Sequence, residues 1–148
     1  MNITNTVITE YINGFYNERT TALKELRKEA EANRVPIILR DTEDLLESLV
    51  LLKKPTKILE IGAAVGYSSS FFASLDENIK VTTIEADEAT YETAKANIKK
   101  LGYEDRITLL FGDAREVLAN LEKEGNKDYD LVFIDAAKSH YKAFWDLS

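Results

Sequence analysis

The chain has 148 residues, 45% of them hydrophobic and 30% charged, enough for one core of ordinary size and too few for two comfortable domains. It contains no cysteine, which excludes a disulfide frame and a thiolate metal site, and its net charge of −7 opposes gripping a polyanion through the bulk field of the protein. No apolar run reaches membrane-spanning length and the start, Met1 to Thr6, lacks a signal-peptide pattern, so a cytoplasmic protein without membrane contact is expected.

In chain order, residues 2–13 and 18–33 read as helices, separated by the turn pair Asn13-Gly14. In the second, Leu23, Leu26 and Ala30 recur at three- and four-residue spacing. So narrow an apolar stripe on a charged helix needs a partner, either the core of the same chain or a second subunit. Residues 1–40 hold six basic side chains (Arg19, Lys24, Arg27, Lys28, Arg34, Arg40) against five glutamates. A polyanion would have to be met there, although a solvated helix face is the plainer reading. Val35-Pro36-Ile37-Ile38 breaks the helical pattern, since the residue before proline disfavours helix. Asp41 or Thr42 can cap the next helix, whose Leu45, Leu46, Leu49, Val50 and Leu52 form a broad apolar face. Lys53-Lys54 suit its C-terminal end and Pro55 closes it.

From Lys57 onward the period is regular. Apolar strands at 57–61, 80–85, 106–111 and 129–134 alternate with helical stretches near 67–75, 88–101, 114–123 and 138–147. That alternation indicates βαβ units with right-handed crossovers and a parallel sheet. The expected fold is α/β, a Rossmann-like parallel sheet with flanking helices. It forms one domain, with residues 1–40 as a helical N-terminal extension and 41–148 as the core. Tyr141, Phe144 and Trp145 read as the apolar face of the last helix, and His140 as surface or packing.

The first strand runs into Glu60-Ile61-Gly62-Ala63-Ala64-Val65-Gly66-Tyr67-Ser68. Two glycines there supply a tight turn and close backbone approach, and the helix that follows offers unpaired N–H groups. The spacing Gly-x-x-x-Gly is neither the dinucleotide nor the P-loop fingerprint. Glu60 would repel a pyrophosphate and suit a positively charged group, which tilts the choice towards a cationic adenosyl cofactor and away from NAD. All four strands end on or beside a carboxylate: Glu60, Glu85, Asp113 and Asp135. Such acids can simply cap the following helices, or they can form a polar rim in the crevice outside the carboxyl ends of the sheet. Glu85 lies 19 residues past Gly66, close to the spacing at which an acid takes ribose hydroxyls. Asp113, with a neighbouring N–H, could read an adenine edge. Asp135 and Lys138 could be an ion pair, or a metal ligand beside a proton acceptor.

Together, Ile58 to Ser68, Glu85, Phe111-Gly112-Asp113-Ala114 and Phe133-Ile134-Asp135-Ala136-Ala137-Lys138 resemble the class I S-adenosylmethionine-dependent O-methyltransferases. The resemblance is to their cation-dependent, catechol-O-methyltransferase-like group. Val35-Pro36-Ile37 and Asp135-Ala136-Ala137-Lys138 fit the bacterial subgroup that methylates 5-hydroxyuridine in tRNA. The resemblance implies S-adenosylmethionine and Mg2+ as cofactors. Ile38, Gly62 and Ser68 would surround the methionine part, Glu85 would hold the ribose, and Asp113 with Ala114 the adenine. Glu60, Gly66 and Tyr67 complete the cofactor-binding set. Asp135 would bind the metal and adjoin the cofactor, and Lys138 would deprotonate the acceptor hydroxyl. It further implies a chain continuing past residue 148, with three more strands and two further metal ligands, an acid and an asparagine. The present chain would then be the cofactor-binding half, forming a homodimer through its N-terminal helices. The expected acceptor is tRNA; a small catechol-like molecule, or a catalytically inactive cofactor-binding or dimerising module, is the alternative.

Overall fold

The computed structural model of the protein describes residues 5–126, 128–136 and 141–147. Strands β1 (Lys57–Ile61), β2 (Lys80–Glu85), β3 (Ile107–Phe111) and β4 (Leu131–Ile134) form one parallel sheet in the order β3-β2-β1-β4. The chain runs outward from β1 to β3, then returns to lay β4 along the other side of β1. The strand order therefore reverses between β1 and β4, the place where open parallel sheets bind ligands. Helices α4 (Tyr67–Leu75), α5 (Glu88–Leu101) and α6 (Ala114–Lys123) make the crossovers. Helices α1 (Thr6–Asn13), α2 (Thr21–Ala32) and α3 (Arg40–Lys53) precede the sheet, and α7 (Tyr141–Leu147) follows it.

Alternation along the strands divides the apolar side chains between two faces. On one, Ile58, Val81 and Ile107 pack with Phe71 and Phe72 of α4 and Ile98 of α5. On the other, Leu59, Ile61 and Ile84 pack with Leu118 of α6 and Phe144 of α7. Both faces of β1 are covered, which is why it reads in sequence as an apolar run and not as an alternation. Phe71 and Phe72 are fully buried, each contributing about 2–3 kcal/mol relative to exposure.

The α2 stripe finds its partner within the chain, because Leu23, Leu26 and Ala30 are buried in the first of these cores. No second subunit is needed to cover it. Helix α1 differs: it buries no residue and exposes Val7, Ile8 and Tyr11, and Phe15 just past its end is also exposed. The broad face expected on α3 also divides, with Leu46 and Val50 buried while Leu45, Leu49 and Leu52 stay exposed, and α1 packs against this helix. Asn5, Thr20, Asp87 and Asp113 cap α1, α2, α5 and α6 through their side chains. Asp41 and Thr42 do not cap α3. The Glu43 N–H already bonds the Leu39 carbonyl, so the helix starts ahead of both, and Asp41 instead places its charge in the first turn. In α7, Phe144 is buried while Trp145 is 76% exposed. Among the described residues no helix is long and apolar enough to cross a membrane.

Candidate active site

The turn after β1 is held in an unusual backbone shape. Gly62 and Gly66 have φ of +104° and +78°, and Ala64, which is not a glycine, has φ of +45°. Gly62 and Ala63 both donate their N–H to the Ile84 carbonyl at 3.0 Å, pinning the turn to the end of β2. Ala64 costs roughly 1–2 kcal/mol in that conformation. Its N–H donates to Glu85 Oε2 at 2.9 Å, an interaction with a charged acceptor that offsets much of this. The other Glu85 oxygen accepts from the Ala86 and Asp87 N–H groups at 2.9 and 3.0 Å.

The two glycines do different work from each other. A Cβ on Gly62 would stand 2.2 Å from the Asp135 carbonyl oxygen, so glycine here lets the end of β4 close against the turn. At Gly66 a Cβ would meet the Ala94 carbonyl and Ile98 Cγ1 at 3.3 Å. Glycine at 66 lets the turn pack closely on α5.

Beside this turn, at the β1/β4 reversal, a cavity of about 390 Å³ opens between the carboxyl ends of the strands. It is lined by Gly62, Glu85, Asp113, Ala114 and Asp135, together with the apolar Ile61, Ile84 and Phe144. The fold thus brings together residues that lie more than seventy positions apart in the chain. Asp135 is exposed at the tip of β4, where its N–H bonds the Ile61 carbonyl at 3.0 Å. Asp113 caps α6 by accepting from the Arg115 N–H at 2.9 Å, and pairs with the Arg115 guanidinium at 3.0 and 2.6 Å. The helix-cap reading of this acid is therefore realised, while the same residue also faces the cavity.

Ile38, Glu60, Gly66, Tyr67 and Ser68 are not among the cavity's lining residues. Ile38 is 6% exposed and belongs to the hydrophobic core. Tyr67 is 1% exposed, and its hydroxyl turns towards Arg27 and Glu43. Glu60 and Ser68 are buried behind the turn. Glu60 has no exposure, its Oε2 accepts from the Thr83 hydroxyl across β1–β2, and the Ser68 hydroxyl is its other polar neighbour. Burial pushes the Glu60 carboxyl up to about 7; the Ser68 and Thr83 hydroxyls pull it back, while the charges of Asp135 and Glu85 raise it further. A buried acid poised in this way favours the arrival of a positive charge nearby. Lys138 and His140 lie outside the described residues. Sequence reasoning passed over Ala64, whose left-handed backbone no residue type announces. It also passed over Arg115, a surface arginine until α6 carries it to the rim.

A parallel Rossmann-like sheet that reverses beside a glycine turn, with acids at its strand ends around one cavity, defines an α/β domain of the nucleotide-binding type. Comparison narrows this class. Residues 15–148 match the O-methyltransferase family, and the chain belongs to that family. It is 36% identical over 126 residues to the caffeoyl-CoA O-methyltransferase of Stellaria longipes, covering 80% of this chain and 52% of that one. Among solved structures, a provisional caffeoyl-CoA O-methyltransferase from Staphylococcus aureus is similar at 38% identity and a TM-score of 0.86, covering 95% of this chain and 66% of that one. The O-methyltransferase from Bacillus cereus, in complex with S-adenosylhomocysteine (SAH), is similar at 28% identity and a TM-score of 0.81, covering 97% and 68%. The chain thus spans about half the length of its plant relative and about two thirds of the two solved structures.

Proposed function

We propose that the protein transfers a methyl group from S-adenosylmethionine to a hydroxyl oxygen with the help of a divalent cation. The observation that carries this reading is the cavity at the β1/β4 reversal, which gathers Gly62, Glu85, Asp113, Ala114 and Asp135 in a chain of the O-methyltransferase family. Its volume falls within the range of about 300–1,000 Å³ common to small-molecule sites. The carboxylates of Glu85, Asp113 and Asp135 around the cavity fit a cationic cofactor. For the metal, no group of three His, Cys, Asp or Glu gathers among the described residues. Asp135, an exposed carboxylate at the cavity, would hold a divalent cation such as Mg2+ as one protein anchor.

When bound, S-adenosylmethionine supplies an electrophilic sulfonium methyl, and a divalent cation lowers the pKa of the acceptor hydroxyl. The chain's residues position these partners. Glu85 offers carboxylate oxygens to the ribose hydroxyls while it holds the Ala64 N–H, so cofactor and turn are ordered by one group. Asp113 and the Ala114 N–H face the adenine end. Ile61, Ile84 and Phe144 exclude water from the wall between them. Lys138 would take the acceptor's proton, and holding both reactants in place would favour the transfer.

The acceptor we favour is a small hydroxylated aromatic, as the name of the plant relative suggests. Of the six basic residues in the N-terminal segment, Arg27 is buried, and Arg19 and Arg40 pair with Glu47 and Glu31, which leaves a smaller basic face for tRNA. The exposed apolar surface shared by α1 and α3 is the part of the N-terminal region that would support a homodimer, testable by sedimentation. The deciding experiment follows labelled methyl from S-adenosylmethionine onto a catechol, onto caffeoyl-CoA and onto 5-hydroxyuridine tRNA, each with Mg2+ or EDTA. Metal-dependent transfer to a small acceptor is expected. Transfer to tRNA alone would reverse the acceptor assignment, and SAH binding without transfer to any of them would leave a cofactor-binding module.

A further inference from the structure

Behind the glycine turn, on the side away from the cavity, lies a buried polar cluster that the proposed reaction does not use. Arg27 of α2 is 1% exposed and Glu43 of α3 is 2% exposed. The Arg27 guanidinium spends its donors on three separate elements. Its Nε donates to the Tyr67 hydroxyl at 3.1 Å, one terminal nitrogen donates to the Ile38 carbonyl at 3.1 Å, and the other is paired with Glu43. The guanidinium also stacks over the Tyr67 ring at 4.5 Å. Tyr16 closes the cluster from the segment before α2, its hydroxyl donating to Glu43 at 2.8 Å. Burial, together with the negative charge of Glu43, pushes the Tyr67 phenol up to about 12, so it remains a donor towards that carboxylate.

A buried ion pair is a weak device for stability, since well-packed apolar side chains of similar volume do as well or better. What an arginine adds is a rigid fork that fixes geometry between the groups it bonds. Here those groups are Ile38, in the segment leading into α3, and Tyr67, the first residue of α4, adjacent to Gly66. We infer that Arg27 is a positioning residue for the cofactor turn, acting through Tyr67 and Glu43 to hold the start of α4 in the shape that receives the adenosyl cofactor. The turn is then clamped from both sides: Glu85 holds Ala64 on the cavity side, and the Arg27 cluster holds Tyr67 behind it. Coupling of this kind is reciprocal, so a bound cofactor also secures α2 and α3 against the sheet.

The inference rests on the cofactor reading above, and its test separates the two. SAH affinity is measured by calorimetry for the wild type and for Tyr67→Phe, Arg27→Met, Arg27→Lys and the double variant Arg27→Met/Tyr67→Phe. All are measured at a temperature where circular dichroism shows each of them folded. Tyr67→Phe keeps the ring in the core and loses only a hydroxyl that faces the cluster. Loss of a hydrogen bond to a charged group predicts SAH binding weaker by about tenfold or more for Tyr67→Phe. Arg27→Met is expected to be weaker still, the double variant no weaker than Arg27→Met alone, and Arg27→Lys not to restore affinity, since an ammonium lacks the fork. Folded variants that bind SAH within twofold of the wild type would overturn the positioning role, leaving a cluster that serves stability alone. Should Arg27→Met not fold, Tyr67→Phe decides by itself. A wild type that fails to bind SAH would overturn the cofactor reading, and this inference with it.

Discussion

Replacing Glu60 by glutamine tests how the core beneath the turn treats a charge. The ordinary glutamate value is 4.5, and burial raises Glu60 to about 7. Between those values the unfolded chain gives up its proton while the folded protein keeps it. The folded state then binds more protons, so stability falls as pH rises through the window, and it is flat with respect to this group below about 4.5 and above about 7. At about 1.4 kcal/mol per pH unit, the full window costs the wild type about 3 kcal/mol. Glutamine keeps the shape and the acceptor for Thr83 but does not titrate. Any fixed cost of the amide is a constant offset, so the slope is the informative quantity. Urea denaturation of both proteins at half-unit steps from pH 4.5 to 8, at constant ionic strength and with EDTA present, gives the difference in stability directly. The expected result is a gain of about 3 kcal/mol for Glu60→Gln relative to wild type across the range, most of it between pH 5 and 7. A difference that does not change with pH would show that Glu60 is ionised throughout, and the electrostatic account of the turn would fall. If the account holds, binding of the cationic cofactor below pH 7 releases a proton from the wild type and none from Glu60→Gln. Calorimetry in buffers of different ionisation enthalpy reads this directly.

Gly62→Ala is expected to cost about 3 kcal/mol or more, because its Cβ would press on the Asp135 carbonyl as well as strain the backbone. Gly102→Ala shares the positive φ but points into open space, and should cost only about 1 kcal/mol; equal losses in urea midpoints would refute the packing role of Gly62. Leu23→Ala should cost about 3 kcal/mol by leaving a cavity in the core, with no change in sedimentation, whereas a shift in oligomeric state at unchanged stability would place that stripe in an interface. Asp135→Asn should reduce Mg2+-dependent turnover by about 100-fold, and a variant with the wild-type metal titration curve would remove Asp135 as the anchor.

The sequence alone determined the order and type of the elements from Lys57 onward, because apolar runs bounded by glycine, proline and acids leave a buried parallel strand few alternatives. It also placed the acids at the strand ends and the glycine turn between β1 and α4. That Gly62, Glu85, Asp113 and Asp135 share one cavity followed only from the strand order, since the reversal beside β1 sets β4 against the turn. Tertiary packing alone decided that Gly66 serves α5, that the α2 stripe is covered by its own chain, and that α3 starts ahead of its apparent caps. It also decided that Tyr67 faces Arg27 and not the cavity. The division has one physical cause. Hydrophobic periodicity and turn chemistry act between near neighbours in the chain and can be read there. The direction in which a buried polar side chain turns is set by partners such as Arg27, Thr83 and Glu43, which lie 16 to 40 residues away and meet only when the helices close on the sheet.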